Sequence, residues 1–116
     1  MQTPLQITFR GMEPSQFVEA RVRELALRLE RFDARITTCH VTIHAPPRHH
    51  HHGQRYDVRI RLGVPGREIV VGREGSNDPA YEDVYVAIRD TFDAAARKLE
   101  DRVRRLDHRS RARRTA

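Results

Sequence analysis

The stretch YDVRIRLGVPGREIVVG, Tyr56 to Gly72, decides the fold. Tyr56, Val58, Ile60 and Leu62 alternate with Asp57, Arg59 and Arg61. That is the period of a strand with one buried and one wet face. Pro65-Gly66 is a tight-turn pair, and REIVVGR then resumes as a further strand. A sheet that is apolar on one face needs a cover on that face, so the flanking sequence must supply it.

Upstream, Ala34–Ala45 shows the same period. Cys39, Val41 and Ile43 form one face, and Thr38, His40, Thr42 and His44 the other. LQITFR, Leu5–Arg10, alternates likewise. Between these strands Val18, Val22, Leu25, Leu29 and Phe32 are spaced as one face of a helix of about five turns. Pro14 suits its first position, with Glu13 or Ser15 as the cap. Downstream, Val84, Ile88, Phe92, Ala95, Leu99, Val103 and Leu106 form a second, longer stripe, predicting a helix from Pro79 to Leu106.

The order is β-α-β-β-β-α, an α+β two-layer sandwich with both helices on one face of a four-stranded sheet. The opposite face, with Thr8, Arg10, His40, His44, Arg59 and Arg61, should meet water or a partner. Residues 1–107 read as one domain, and 108–116 as a basic tail without regular structure.

The 116 residues carry a net charge of +6, and the imbalance is local. Residues 97–116 hold nine basic and three acidic groups, whereas residues 1–96 hold 13 of each. A concentrated cationic segment points to a polyanion, nucleic acid before anionic membrane. Of the 22 basic residues 21 are Arg, which suits bidentate phosphate contacts. One cysteine, Cys39, precludes an intrachain disulfide and fits a reduced compartment. The N-terminus lacks the apolar core of a signal peptide, and no run approaches a membrane span. The expected location is cytoplasmic.

Lys98, Arg102, Arg105 and Arg109 fall on one helical ridge beside the apolar stripe. Asp93/Arg97, Glu100/Arg104 and Asp101/Arg105 are i,i+4 pairs with the acid N-terminal, so surface pairing competes with a binding role there. Lys98, Arg102 and Arg109 are freer for phosphate. On the first helix Arg21, Arg23, Arg28 and Arg31 are balanced by Glu19, Glu24 and Glu30, and they matter if both helices turn their basic edges to one side.

Four consecutive histidines, His49, His50, His51 and His52, lie between two strands with Pro46, Pro47 and Gly53 around them. They read as a native hairpin loop, solvated and able to touch RNA. Adjacent histidines are the one candidate metal site, a weak one, because structural zinc ligands are usually spaced and drawn from a second element. A metal-binding or transcription-modulating regulator is therefore the alternative function. No cofactor is expected. Catalysis is disfavoured: there is no G-x-S-x-G, P-loop or HExxH, and His40, His44 and Asp57 form the sole polar constellation.

Two stretches resemble a known family. LRLERFDARI, Leu27–Ile36, and EDVYVAIRDTFDAAARKLEDRVRR, Glu82–Arg105, are similar to segments of the ribosome hibernation promoting factor family, which includes ribosome-associated inhibitor A and proteins once named sigma-factor modulators. In the second stretch the matched positions are Asp83, Tyr85, Val86, Ala87, Ile88, Asp93, Arg97 and Leu99. The resemblance spans about residues 5–108 and implies a non-enzymatic protein. Such a protein would sit on the small ribosomal subunit, in the mRNA/tRNA channel, and block translation. The RNA contacts it implies are Arg28, Arg31, Arg97, Lys98, Arg102 and Arg105; Arg89, Arg104 and Arg109 of the second helix join the candidate set as further cations. Two positions depart from the family pattern: Ala94 stands where a basic residue is common, and Arg89 where an acidic one is. Ending at Ala116, the chain resembles the short type without a dimerisation domain. Self-association through the exposed sheet is left open.

Overall fold

The computed structural model describes residues 4–46, 55–72 and 78–115. The elements are β1 (Leu5–Arg10), α1 (Gln16–Phe32), β2 (Thr38–His44), β3 (Asp57–Val64), β4 (Arg67–Gly72), a 3-10 turn (Pro79–Glu82) and α2 (Val84–Thr115). The strands lie in the order β1-β2-β3-β4. β1 runs parallel to β2, as the α1 crossover requires, and the other pairs are antiparallel. Val64 pairs with Arg67 around Pro65-Gly66, where Gly66 takes φ 82, the value a type II turn needs after proline.

One face of the sheet is buried. Cys39, Val41 and Ile43 of β2, Val58, Ile60, Leu62 and Val64 of β3, and Ile69 and Val71 of β4 share a core with both helices. From α1 come Val18, Val22, Leu25, Ala26 and Leu29, and from α2 Ala87, Ile88, Phe92, Ala95 and Leu99. The two-layer sandwich expected from the alternation is the observed fold. Burial pushes the Cys39 thiol up to about 11, with Glu30 adding to the shift, so the residue is a small apolar filler.

The ends of the helices differ from expectation. Ser15 is the α1 cap, its hydroxyl accepting from the Val18 N–H, and Pro14 precedes it rather than opening the helix. Phe32, expected on the buried face, is 41% exposed: it is the last residue of α1, and the chain leaves the helix in extended form at Asp33. Asp83 is extended (ψ 113) and separates the 3-10 turn from α2, so the second helix starts at Val84, not Pro79. Asp83 then anchors the new helix, accepting the Tyr85 N–H at 2.9 Å. At the other end α2 passes Leu106 and continues to Thr115. Residues 108–115 are thus helical, not irregular. Val84–Thr115 contains no Gly or Pro, and arginine and alanine are good helix formers.

Candidate nucleic-acid interface

Asp33 organises the basic end of the molecule. It follows the C-terminus of α1, where the helix dipole already disfavours a negative charge. Its carboxylate is almost fully buried, yet it accepts the Arg35 N–H at 3.0 Å and the Arg35 Nε at 3.1 Å. The Arg102 guanidinium of α2 closes the set on the other carboxylate oxygen. Burial alone would raise the Asp33 pKa. The Arg35 hydrogen bonds, with the charges of Arg35 and Arg102, outweigh it and hold the carboxyl below its ordinary range.

Arg102 therefore departs from expectation. It is only 9% exposed and neutralises a core carboxylate, so it is not a free phosphate ligand. Its role is to fix the C-terminal end of α1 against the middle of α2. That contact decides which cations come together. Arg31 and Arg35 flank Asp33, and Arg28 lies about 7 Å back along α1. On α2, Arg104 and Arg105 follow Arg102 at once, and Arg109 stands about 10 Å beyond it. All six of these arginines are exposed.

Their pairing is light. Arg28 shares the Glu24 carboxylate with Arg21, at 2.9 and 3.0 Å. Arg104 pairs with Asp101 at 2.6 Å, one turn back, rather than with Glu100. These contacts are solvent-exposed and stabilise by well under about 1 kcal/mol each, so a phosphate can replace them. Among the described residues neither the Asp93/Arg97 nor the Asp101/Arg105 ion pair forms.

The remaining candidates lie elsewhere. Arg97 and Lys98 border an open cleft of about 410 Å³ between α2 and β4, with Tyr56, Tyr81, Asp90 and Asp93 around it. Lys98 Nζ donates to the Val70 carbonyl at 3.0 Å, covering an edge-strand acceptor. Arg89 contacts the adjacent Asp90 at 3.2 Å and sits about 24 Å along α2 from Arg105, outside the cluster. Arg35 escapes the sequence reasoning. Its signal is the carboxylate at a helix C-terminus in FDAR, which calls for nearby cations.

The weak metal-site candidate, His49, His50, His51 and His52, lies outside the described residues. Among the described residues no group of three or more His, Cys, Asp or Glu is placed to hold a metal. His44 Nδ1 is 3.9 Å from Asp57 and His40 Nε2 is 2.9 Å from Thr8 Oγ1. The two imidazoles are four residues apart on one strand, about 13 Å, so Asp57 cannot orient the His40–Thr8 pair as a catalytic triad would require. No helix among the described residues is long and apolar enough to cross a membrane.

Known structures share the architecture. The Protein Y N-terminal domain from Thermus thermophilus superposes with a TM-score of 0.64 at 20% identity, over 87% of this chain and 98% of that one. A ribosomal subunit interface protein from Coxiella burnetii gives 0.62 at 19% identity, over 91% of this chain and 99% of that one. No curated protein sequence matches the chain. At these identities the superpositions establish the fold alone. The sequence itself is more specific, matching the family described as Sigma 54 modulation protein / S30EA ribosomal protein over residues 5–107. The chain belongs to that family.

Proposed function

We propose that the chain is a ribosome stasis factor: a non-catalytic protein that binds small-subunit rRNA near the mRNA/tRNA channel and inhibits translation by occlusion. The observation that carries this reading is the convergence of the α1 C-terminus and the basic half of α2 through Asp33 and Arg102. Family membership points to the same partner, and so does the fold shared with the Coxiella ribosomal subunit interface protein. The body of sheet and helices supplies the bulk that blocks the channel, and the arginine-rich end supplies the affinity. Guanidinium–phosphate contacts release counterions, giving binding that is largely sequence-independent and falls with salt. Folded rRNA offers shape and backbone rather than base edges, which suits a site rich in arginine and poor in aromatics. The site of action is the cytoplasm, where ribosomes translate.

Sucrose-gradient co-sedimentation with separated subunits, at low and high salt, tests the proposal. Salt-sensitive binding to the small subunit is expected, with loss of in vitro translation at saturating protein. Absence of binding at low salt would refute it.

A further inference from the structure

A second basic surface lies on the side of the sheet away from the helices. The strand register aligns three rows across it: Gln6, His40, Arg61 and Val70; Thr8, Thr42, Arg59 and Gly72; and Arg10, His44 and Asp57. A shallow hollow of about 220 Å³ opens between Arg10, His40, His44, Asp57, Arg59 and Arg61. Three arginines therefore stand against one carboxylate, and that carboxylate has His44 beside it at 3.9 Å. Among the described residues no ion pair engages Arg10 or Arg61. Arg59 and Arg61 stand on the same face of β3, two residues and about 7 Å apart, a spacing that two phosphate contacts along one strand can use.

The chemistry of the face selects among partners. A protein partner would need an apolar centre, and these rows offer one exposed apolar side chain, Val70, at the edge. Base stacking is strongest on broad aromatic rings, and the rows contain no Phe, Tyr or Trp. Guanidinium, imidazole and hydroxyl groups around a hollow fit phosphate oxygens. We propose that this sheet face binds the sugar–phosphate backbone of an RNA strand, as a second, sequence-independent surface opposite the helix end. The chain then holds two RNA segments at once, one on each layer of the sandwich. Once the helix end has bound, the second contact is intramolecular, which raises avidity without any change in the first site. The inference rests on the charge and register of the sheet, not on the ribosomal reading.

The test uses the full chain and a 20-nucleotide uridine homopolymer, with anisotropy titrations across a salt series. Four proteins are compared: wild type, R10Q/R61Q, R105E/R109E and the quadruple variant. Each phosphate contact with a single strand contributes about 0.7 to the slope of log K against log salt. R10Q/R61Q should therefore flatten the slope by about 1.4. R105E/R109E should keep a residual affinity that the quadruple variant loses. Both altered arginines of the sheet are exposed, so melting temperatures should match wild type. An unchanged slope and affinity in R10Q/R61Q overturns the proposal. So does saturation of the Arg59–Arg61 amide shifts by millimolar inorganic phosphate that the homopolymer cannot displace, which would mark a small-anion site. Failure of the wild type to bind small subunits, with the R10Q/R61Q effect intact, would sink the ribosomal reading and leave this one standing.

Discussion

Replacing Arg102 with Met isolates the ion pair that ties α2 to the end of α1. Methionine keeps most of the aliphatic packing and removes the guanidinium. The Asp33 carboxylate, about 1% exposed, then loses its partner on one oxygen and keeps Arg35 on the other. Deleting one partner of a buried pair costs about 3–5 kcal/mol. The two retained hydrogen bonds from Arg35, at 3.0 and 3.1 Å, offset about 1–2 kcal/mol of that. A net loss of about 2–3 kcal/mol follows, or a melting temperature lower by about 8–12 °C for a domain of this size. Urea unfolding at pH 7, followed by circular dichroism, reads it directly. A double-mutant cycle with Asp33→Asn should return a coupling of about 1.5 kcal/mol or more. RNA affinity of folded R102M should stay within about twofold of wild type, a difference of under 0.5 kcal/mol. Stability within about 0.5 kcal/mol of wild type, joined to a loss of RNA affinity matching that of R105E, would refute the reasoning and make Arg102 a contact residue.

Four further outcomes follow from the same geometry. The folded Asp33 pKa lies below its unfolded value, so its contribution is present above about pH 4 and is lost as pH falls through the folded pKa. Acid unfolding of D33N should accordingly be flatter in that window. R105E/R109E should weaken small-subunit binding and flatten its salt slope by about 1.4–1.8, with unfolding midpoints unchanged. Gly11→Ala should cost about 3 kcal/mol or more, because φ is 71 and a Cβ would stand 2.4 Å from the Ala45 carbonyl oxygen; Gly66→Ala, at φ 82 with open space, should cost only about 1 kcal/mol. Leu99→Ala, at a fully buried position, should lose about 2–5 kcal/mol in denaturant titration.

The sheet is legible in the sequence because period two leaves no ambiguity when both faces carry distinct chemistry. Cys39, Val41 and Ile43 are buried while His40, Thr42 and His44 are not, as the alternation requires. The stripe of α2 is legible for the same reason as far as Leu99. Past that point Val103 and Leu106 are only half-buried, because the sandwich ends beneath them. A helical wheel misplaces Arg102 because it shows neighbours on the same helix alone. Its partner Asp33 lies 69 residues away and becomes a neighbour only through the fold. The extension of α2 to Thr115 escapes the pattern because an apolar stripe marks where a helix packs, not where its backbone stops.

That extension has a physical consequence. Residues 107–112 are all exposed, so the described side chains past Leu106 bury little against the sandwich. Arg105 and Arg109 stand i,i+4, where like charges oppose the helix, and Asp107 is the one acid beyond Leu106. Helicity in such a segment is set by the helix–coil balance and by the ions around it rather than by tertiary contacts. The end of α2 thus behaves as a short polyelectrolyte arm, whose ordered length grows as counterions or phosphates neutralise it. Its conformation reports the charge density of its surroundings, and the arm should be stiffest where the local concentration of phosphate is highest.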